Sequence, residues 1–116
     1  ILGDMLELGD QAPRLHSDLA MPIRAANIDL VYTCGTLMKH LHDALPANNR
    51  GAHRDTSSDL AQIVPDVLVP GDVVVVKGSK SSRMDVVVQA LRALPTRAAS
   101  AQTTQNKQTE ENRHAL

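Results

Sequence analysis

A chain of 116 residues has room for one domain with a core of ordinary size, and that core must be aliphatic, because Phe and Trp are absent and Tyr32 is the single aromatic. Twelve basic residues stand against thirteen acidic ones. This balance argues against nucleic acid or an anionic membrane surface as the main partner, and the missing aromatics remove stacking platforms for single strands. The lone Cys34 excludes a disulfide framework within the chain and suits a reducing compartment. No apolar run approaches the ~20 residues of a membrane span, and no signal-peptide pattern is present. The chain therefore reads as cytoplasmic.

In chain order, Ile1-Leu2-Gly3-Asp4 has the character of the last residues of a strand running into its loop. Ile1 is not an initiator methionine, so the expectation is a fragment of a longer protein with its first strand truncated. A loop bracketed by Gly3 and Gly9 follows, then a helix from about Pro13 to Ala26 with Leu15, Leu19 and Ile23 on one face. Pro22 should kink it, since an interior proline costs a regular helix ~3 kcal/mol. Asp29–Cys34 reads as a second, buried strand ending at Gly35. A helix from Thr36 to Leu45 then buries Leu37, Met38, Leu41 and Leu45, keeps Lys39, His42 and Asp43 outside, and stops at Pro46.

Gly51–Arg54 fits a short edge strand. Thr56-Ser57-Ser58-Asp59 has capping-box spacing with Asp in place of Glu, and it precedes Leu60, Ile63, Val64, Val67 and Leu68 at helical spacing, with Pro65 inside. The Pro70-Gly71-Asp72 turn releases Val73 to Val76, four valines in the pattern of a strand buried on both faces. Ser82-Arg83-Met84-Asp85 is expected to cap the last helix, which lines up Met84, Val87, Val88, Leu91 and Leu94. Residues 95–116 are too polar to bury a face and read as a disordered tail. The order β-α-β-α-β-α-β-α predicts an α/β, Rossmann-like fold over residues 1–94, a mostly parallel sheet with helices on both faces.

In such a sheet ligands bind at the carboxyl ends of the strands. Two stretches lie there, residues 3–9 and 77–82. Lys77-Gly78-Ser79-Lys80-Ser81-Ser82 leads from strand to helix and offers two amines, hydroxyls and helix N-terminal N–H groups suited to an anion. It is not a Walker A loop, because Lys77 precedes Gly78, and no G-x-G-x-x-G follows the first strand. A plain strand-to-helix turn is the competing reading. Asp4 and Glu7 in the first loop could meet a magnesium ion, an amine or a basic residue, or else Asp4 caps backbone and Glu7 faces solvent. The histidines His16, His40, His42, His53 and His114 are scattered and suggest no metal site, with His16 read as packing back on the glycine-bracketed loop. Cys34, inside an apolar run, reads as a small buried residue.

Gly3-Asp4-Met5-Leu6-Glu7-Leu8-Gly9 with His16, followed by Pro70-Gly71-Asp72 and Val76-Lys77-Gly78-Ser79-Lys80-Ser81 with Met84, resembles the C-terminal domain of the Mur ligases. Gly35 after the second strand also fits. Within that family the resemblance is to the branch that adds D-alanyl-D-alanine to UDP-N-acetylmuramoyl-tripeptide (UDP-MurNAc-tripeptide). It implies a three-domain ligase of peptidoglycan synthesis using ATP and Mg2+, bound mainly by domains absent from this chain, with the central ATPase domain of the same polypeptide as partner. Taken with the strand-end position, it leads to the expectation that Lys77 with the Gly78 and Ser79 N–H groups holds the carboxylate of the incoming dipeptide, that Asp4 and Glu7 sit on an active-site loop, and that this stretch carries no catalytic residue and no activity alone. Lys80 stands where the family more often has Arg. Two other readings stay open: a free-standing α/β module binding a phosphate or carboxylate, and a sister ligase such as another Mur enzyme or folylpolyglutamate synthase.

Overall fold

The structure is a computed structural model and describes residues 1–95. The expected disorder of the polar tail falls, beyond Pro95, outside the described residues. Three strands, β1 (Leu2–Gly3), β2 (Val31–Cys34) and β3 (Arg50–Arg54), pair in parallel in that order. Leu2 lies opposite Thr33 and Gly3 opposite Cys34, while Thr33 and Cys34 face His53 and Arg54 on the other side. The register slips by one residue between Val31 and Thr33. There the Tyr32 ring lies over Gly51, so closely that a Cβ on Gly51 would come within 2.7 Å of it.

The four-valine stretch is not a strand buried on both faces. Its end runs parallel to β1 on the side away from β2: Ile1 N donates to Val75 O (2.8 Å), Lys77 N to Ile1 O (2.9 Å) and Gly3 N to Lys77 O (2.8 Å). Leu2–Lys77 is the one bridge it forms, and Val73 is 70% exposed. The outer side of this edge has no partner among the described residues. The turn before it is as expected, with Gly71 at φ 97° and Asp72 N bonded to Val69 O at 3.1 Å.

Alternation along the strands sorts the core into two layers, one on each face of the sheet. Leu2 and Val31 meet Ala20, Ile23, Met38, Leu41 and Leu45 on one face. Cys34, with Ile1, Tyr32 and Val76, meets Leu60, Val64, Met84 and Val87 on the other. The first face is covered by α1 (Ala12–Ser17), α2 (Ala20–Ala25) and α3 (Met38–Ala44), the second by α4 (Ser57–Val67) and α5 (Met84–Arg92). The architecture is therefore the predicted α/β one.

The helices depart from expectation in three places. The single kinked helix over 13–26 is two helices broken at Asp18–Leu19, and Pro22 sits in the first turn of α2, where a missing N–H costs no intrahelical bond. The buried face of this pair is Ala12, His16, Ala20 and Ile23, while Leu15 is 37% exposed. Adjacent positions cannot both point inward, and the bonds made by His16 decide the choice. Finally, Ser82 does not cap α5. Its hydroxyl donates to Ser79 O (2.6 Å), and Arg83 enters the helix at φ 55° with its guanidinium paired to Asp85 (2.9 Å). By contrast α4 starts as its sequence predicts, with Asp59 N donating to Thr56 Oγ1 at 3.1 Å.

Candidate functional site

The carboxyl ends of the strands form one rim, made by the loops after β1, β2 and β3 and by residues 77–82. Asp4, one residue past β1, is its hub. Its carboxylate takes the Met38 N–H at 2.8 Å and the Leu37 N–H at 3.2 Å, so it caps α3 from 33 residues away. Gly35 makes this possible, because at φ 106° a Cβ there would lie 2.3–2.6 Å from all three carboxylate atoms. Asp4 O accepts both the N–H (3.2 Å) and the hydroxyl (2.9 Å) of Ser79. The two predicted loops are thus brought together and bonded to each other.

A second close approach tightens the same corner. A Cβ on Gly78 would fall 2.6 Å from Ser82 Oγ, 2.7 Å from Met84 Cγ and 3.2 Å from the Gly3 backbone. Small residues here let the turn press against β1 and seat Met84 in the core. What the rim leaves outward is Lys77, Gly78, Lys80 and Glu7, all exposed. Glu7 stands at φ 63° at the tip of its loop. An open cleft of about 450 Å³ runs between the two loops, lined by Leu6, Glu7, Ser79, Lys80 and Ser81. Another cleft, lined by Arg24, Asn27, Asp29 and Asn49 among others, lies at the opposite ends of the strands.

The residues here do not make a Mg2+ site on their own. Both Asp4 oxygens are taken by amides, and Glu7 stands apart at the loop tip. Among the described residues no three His, Cys, Asp or Glu side chains gather as ligands. Cys34 is buried, its thiol donating to Met84 Sδ at 3.6 Å, and burial together with the Asp4 charge pushes its pKa up to about 11. That matches the reading of a small buried residue rather than a nucleophile.

His16 packs back on the first loop as the sequence reading expected, and two further features escaped that reading. His16 is fully buried and bonded to the first loop, with Met5 N–H donating to Nε2 (3.0 Å) and Nδ1 lying 2.6 Å from Ala12 O. Asp4 reaches α3, where Thr36 is the nearer cap residue by sequence. His53 Nδ1 lies 2.7 Å from the buried Thr33 hydroxyl and 5.7 Å, ring to ring, from His42, which is half-buried rather than outside. Burial holds both imidazoles below the usual histidine range, with Arg50 adding to the effect at His42 and His42 itself at His53. The Asp4 contact was accessible in principle, since residues just past two adjacent parallel strands must lie side by side.

Residues 1–80 match the family model described as Mur ligase, glutamate ligase domain. The UDP-N-acetylmuramoyl-tripeptide--D-alanyl-D-alanine ligase of Rickettsia prowazekii (strain Madrid E) is 31% identical over 88 residues, which is 76% of this chain and 20% of the relative. The enzyme of the same name from Bacillus subtilis (strain 168) is 31% identical over 103 residues, covering 82% and 21%. That from Escherichia coli (strain K12) is 32% identical over 94 residues, covering 79% and 20%. The chain spans about a fifth of the length of these relatives. No solved structure matches it. No helix among the described residues is long and apolar enough to cross a membrane.

Proposed function

Because this chain belongs to the Mur ligase family, we propose that it is the C-terminal domain of the ligase that joins D-alanyl-D-alanine to UDP-N-acetylmuramoyl-tripeptide. The full enzyme would act in the cytoplasm on the peptidoglycan precursor. ATP would activate the tripeptide carboxylate as an acyl phosphate. The dipeptide amine would then attack the acyl carbon, forming the C–N bond and releasing phosphate. In this reading the phosphate loop, the Mg2+ ligands and the nucleotide-sugar site belong to other domains of the polypeptide.

The observation that carries the proposal is the bonding of the 3–9 loop to the 77–82 loop at the carboxyl edge of the sheet, with Lys80 lining the cleft and Lys77 exposed two residues before Ser79. The incoming dipeptide bears a carboxylate. Lys77 and the Gly78 backbone are assigned to receive it, a charge-assisted contact of the kind a phosphate-free substrate end requires. For Ser79 the reading is a supporting part rather than a direct substrate contact, since its N–H and hydroxyl both bond to Asp4 O. Its part is to hold Lys77 and Gly78 against β1.

The test uses the full-length enzyme. Lys77→Ala is expected to raise KM for D-alanyl-D-alanine about tenfold, the scale of one charge-assisted hydrogen bond, while KM for ATP stays put. Unchanged dipeptide kinetics would refute the assignment of Lys77. A wild-type enzyme that takes a single amino acid or glutamate instead of the dipeptide would move the chain to a sister ligase.

A further inference from the structure

We infer that His16 is a positioning residue for the cleft, setting the path of the loop that carries Leu6 and Glu7 through a single hydrogen bond to the Met5 amide. The inference rests on the ligase reading above for its kinetic consequence, but not for its geometry.

His16 is fully buried. No substrate can touch the ring, so any effect on the reaction must pass through a neighbour. Its two nitrogens have different partners. Ala12 O, 2.6 Å from Nδ1, can only accept, and the Met5 N–H, 3.0 Å from Nε2, can only donate. One tautomer satisfies both: neutral imidazole with the proton on Nδ1 and a bare lone pair on Nε2. A buried imidazole with both nitrogens satisfied is a rigid spacer between a helix and a loop.

The loop needs such a spacer. Between β1 and the turn at Gly9 it has no ladder partner, and its fixed points are few. Asp4 is held by α3 and by Ser79, and Met5 by His16. Two residues further on, Glu7 is exposed in the left-handed region at φ 63°, and Leu6 and Glu7 form one wall of the cleft whose other wall is Ser79, Lys80 and Ser81. Asp4 fixes where the loop leaves the sheet. The Met5 bond fixes which way it then turns, and so the distance between the two walls.

Two substitutions separate the two nitrogens. His16→Gln can place a side-chain oxygen near the Nε2 position and keep the acceptor for Met5. His16→Asn keeps a donor near Nδ1 and loses that acceptor. In the full-length enzyme His16→Asn is expected to raise KM for D-alanyl-D-alanine about tenfold with kcat and KM for ATP little changed, the scale of one buried hydrogen bond. His16→Gln is expected to recover most of that loss. Equal effects of the two variants, or a fall in kcat with KM unchanged, would overturn the positioning role. Nitrogen NMR of the wild-type ring supplies a readout independent of activity and of either variant's folding. It should show Nδ1 protonated and Nε2 bare, and a ring protonated on Nε2 would overturn the inference. An enzyme that does not use the dipeptide while showing the Nδ1–H ring would remove the ligase reading alone.

Discussion

Replacing Gly35 with alanine tests whether Asp4 is the hub of the rim, because the new methyl group lands on the carboxylate itself. Two costs are expected. Holding a non-glycine residue at φ 106° costs about 1–2 kcal/mol. Displacing Asp4 forfeits its bonds to Leu37 and Met38, about 2 kcal/mol for a charged cap with two amide donors. Gly35→Ala should therefore cost about 3–4 kcal/mol and Asp4→Ala about 2. In the double variant the bonds are lost only once, so its cost stays at about 3–4 instead of the additive 5–6, a coupling of about 2 kcal/mol. Urea denaturation of the four proteins, followed by circular dichroism, measures each stability, with equal slopes confirming a common unfolding transition. Additivity to within about 0.5 kcal/mol would show that the Cβ does not act through Asp4, and the geometric argument would fail.

Two further outcomes follow from the same structure. His42 and His53 are held below their ordinary range mainly by burial, so the folded chain binds fewer protons than the unfolded one as pH falls through about 6.5. Stability is thus full above that pH and declines as pH drops through the lowered folded values. Urea midpoints should fall from pH 7.5 to pH 5, less so in His53→Gln, and a flat profile over that span would contradict the assignment. Gly78→Ala drives a methyl into Ser82, Met84 and the Gly3 backbone, and should lower stability by about 1–3 kcal/mol as overpacking does. A thermal melt equal to wild type would show that the corner is loose.

Much of the fold can be read from the residues alone where local signals and burial agree. Val31–Cys34, the Thr56 cap, the α4 face through Leu60 and Val64, and the α5 face through Met84 and Val87 are such places. Reading fails where a distant contact outranks local pattern. Leu15 is the more apolar of two neighbours, yet His16 turns inward because the Met5 amide and the Ala12 carbonyl reward it. The valines of 73–76 have the composition of a central strand, but burial depends on neighbours, and among the described residues this stretch bonds along the sheet to Ile1–Gly3 on one side. The site was legible as two loops in two motifs. The bond from Asp4 to Ser79 was not, because 75 residues separate the two and no spacing rule spans that distance, whereas the Asp4 contact with α3 follows from the side-by-side ends of adjacent parallel strands.

The wiring at Asp4 also bears on what binding at this rim costs. Loops usually lose freedom when they receive a ligand, and that entropy is subtracted from affinity. Here the backbone of residues 3–5 and 77–79 is already tied to the sheet and to α3 before any ligand arrives. On the proposed reading, a carboxylate seated on Lys77 would meet an anvil rather than a net. Its grip would be passed through Ser79 and Asp4 into β1 and α3.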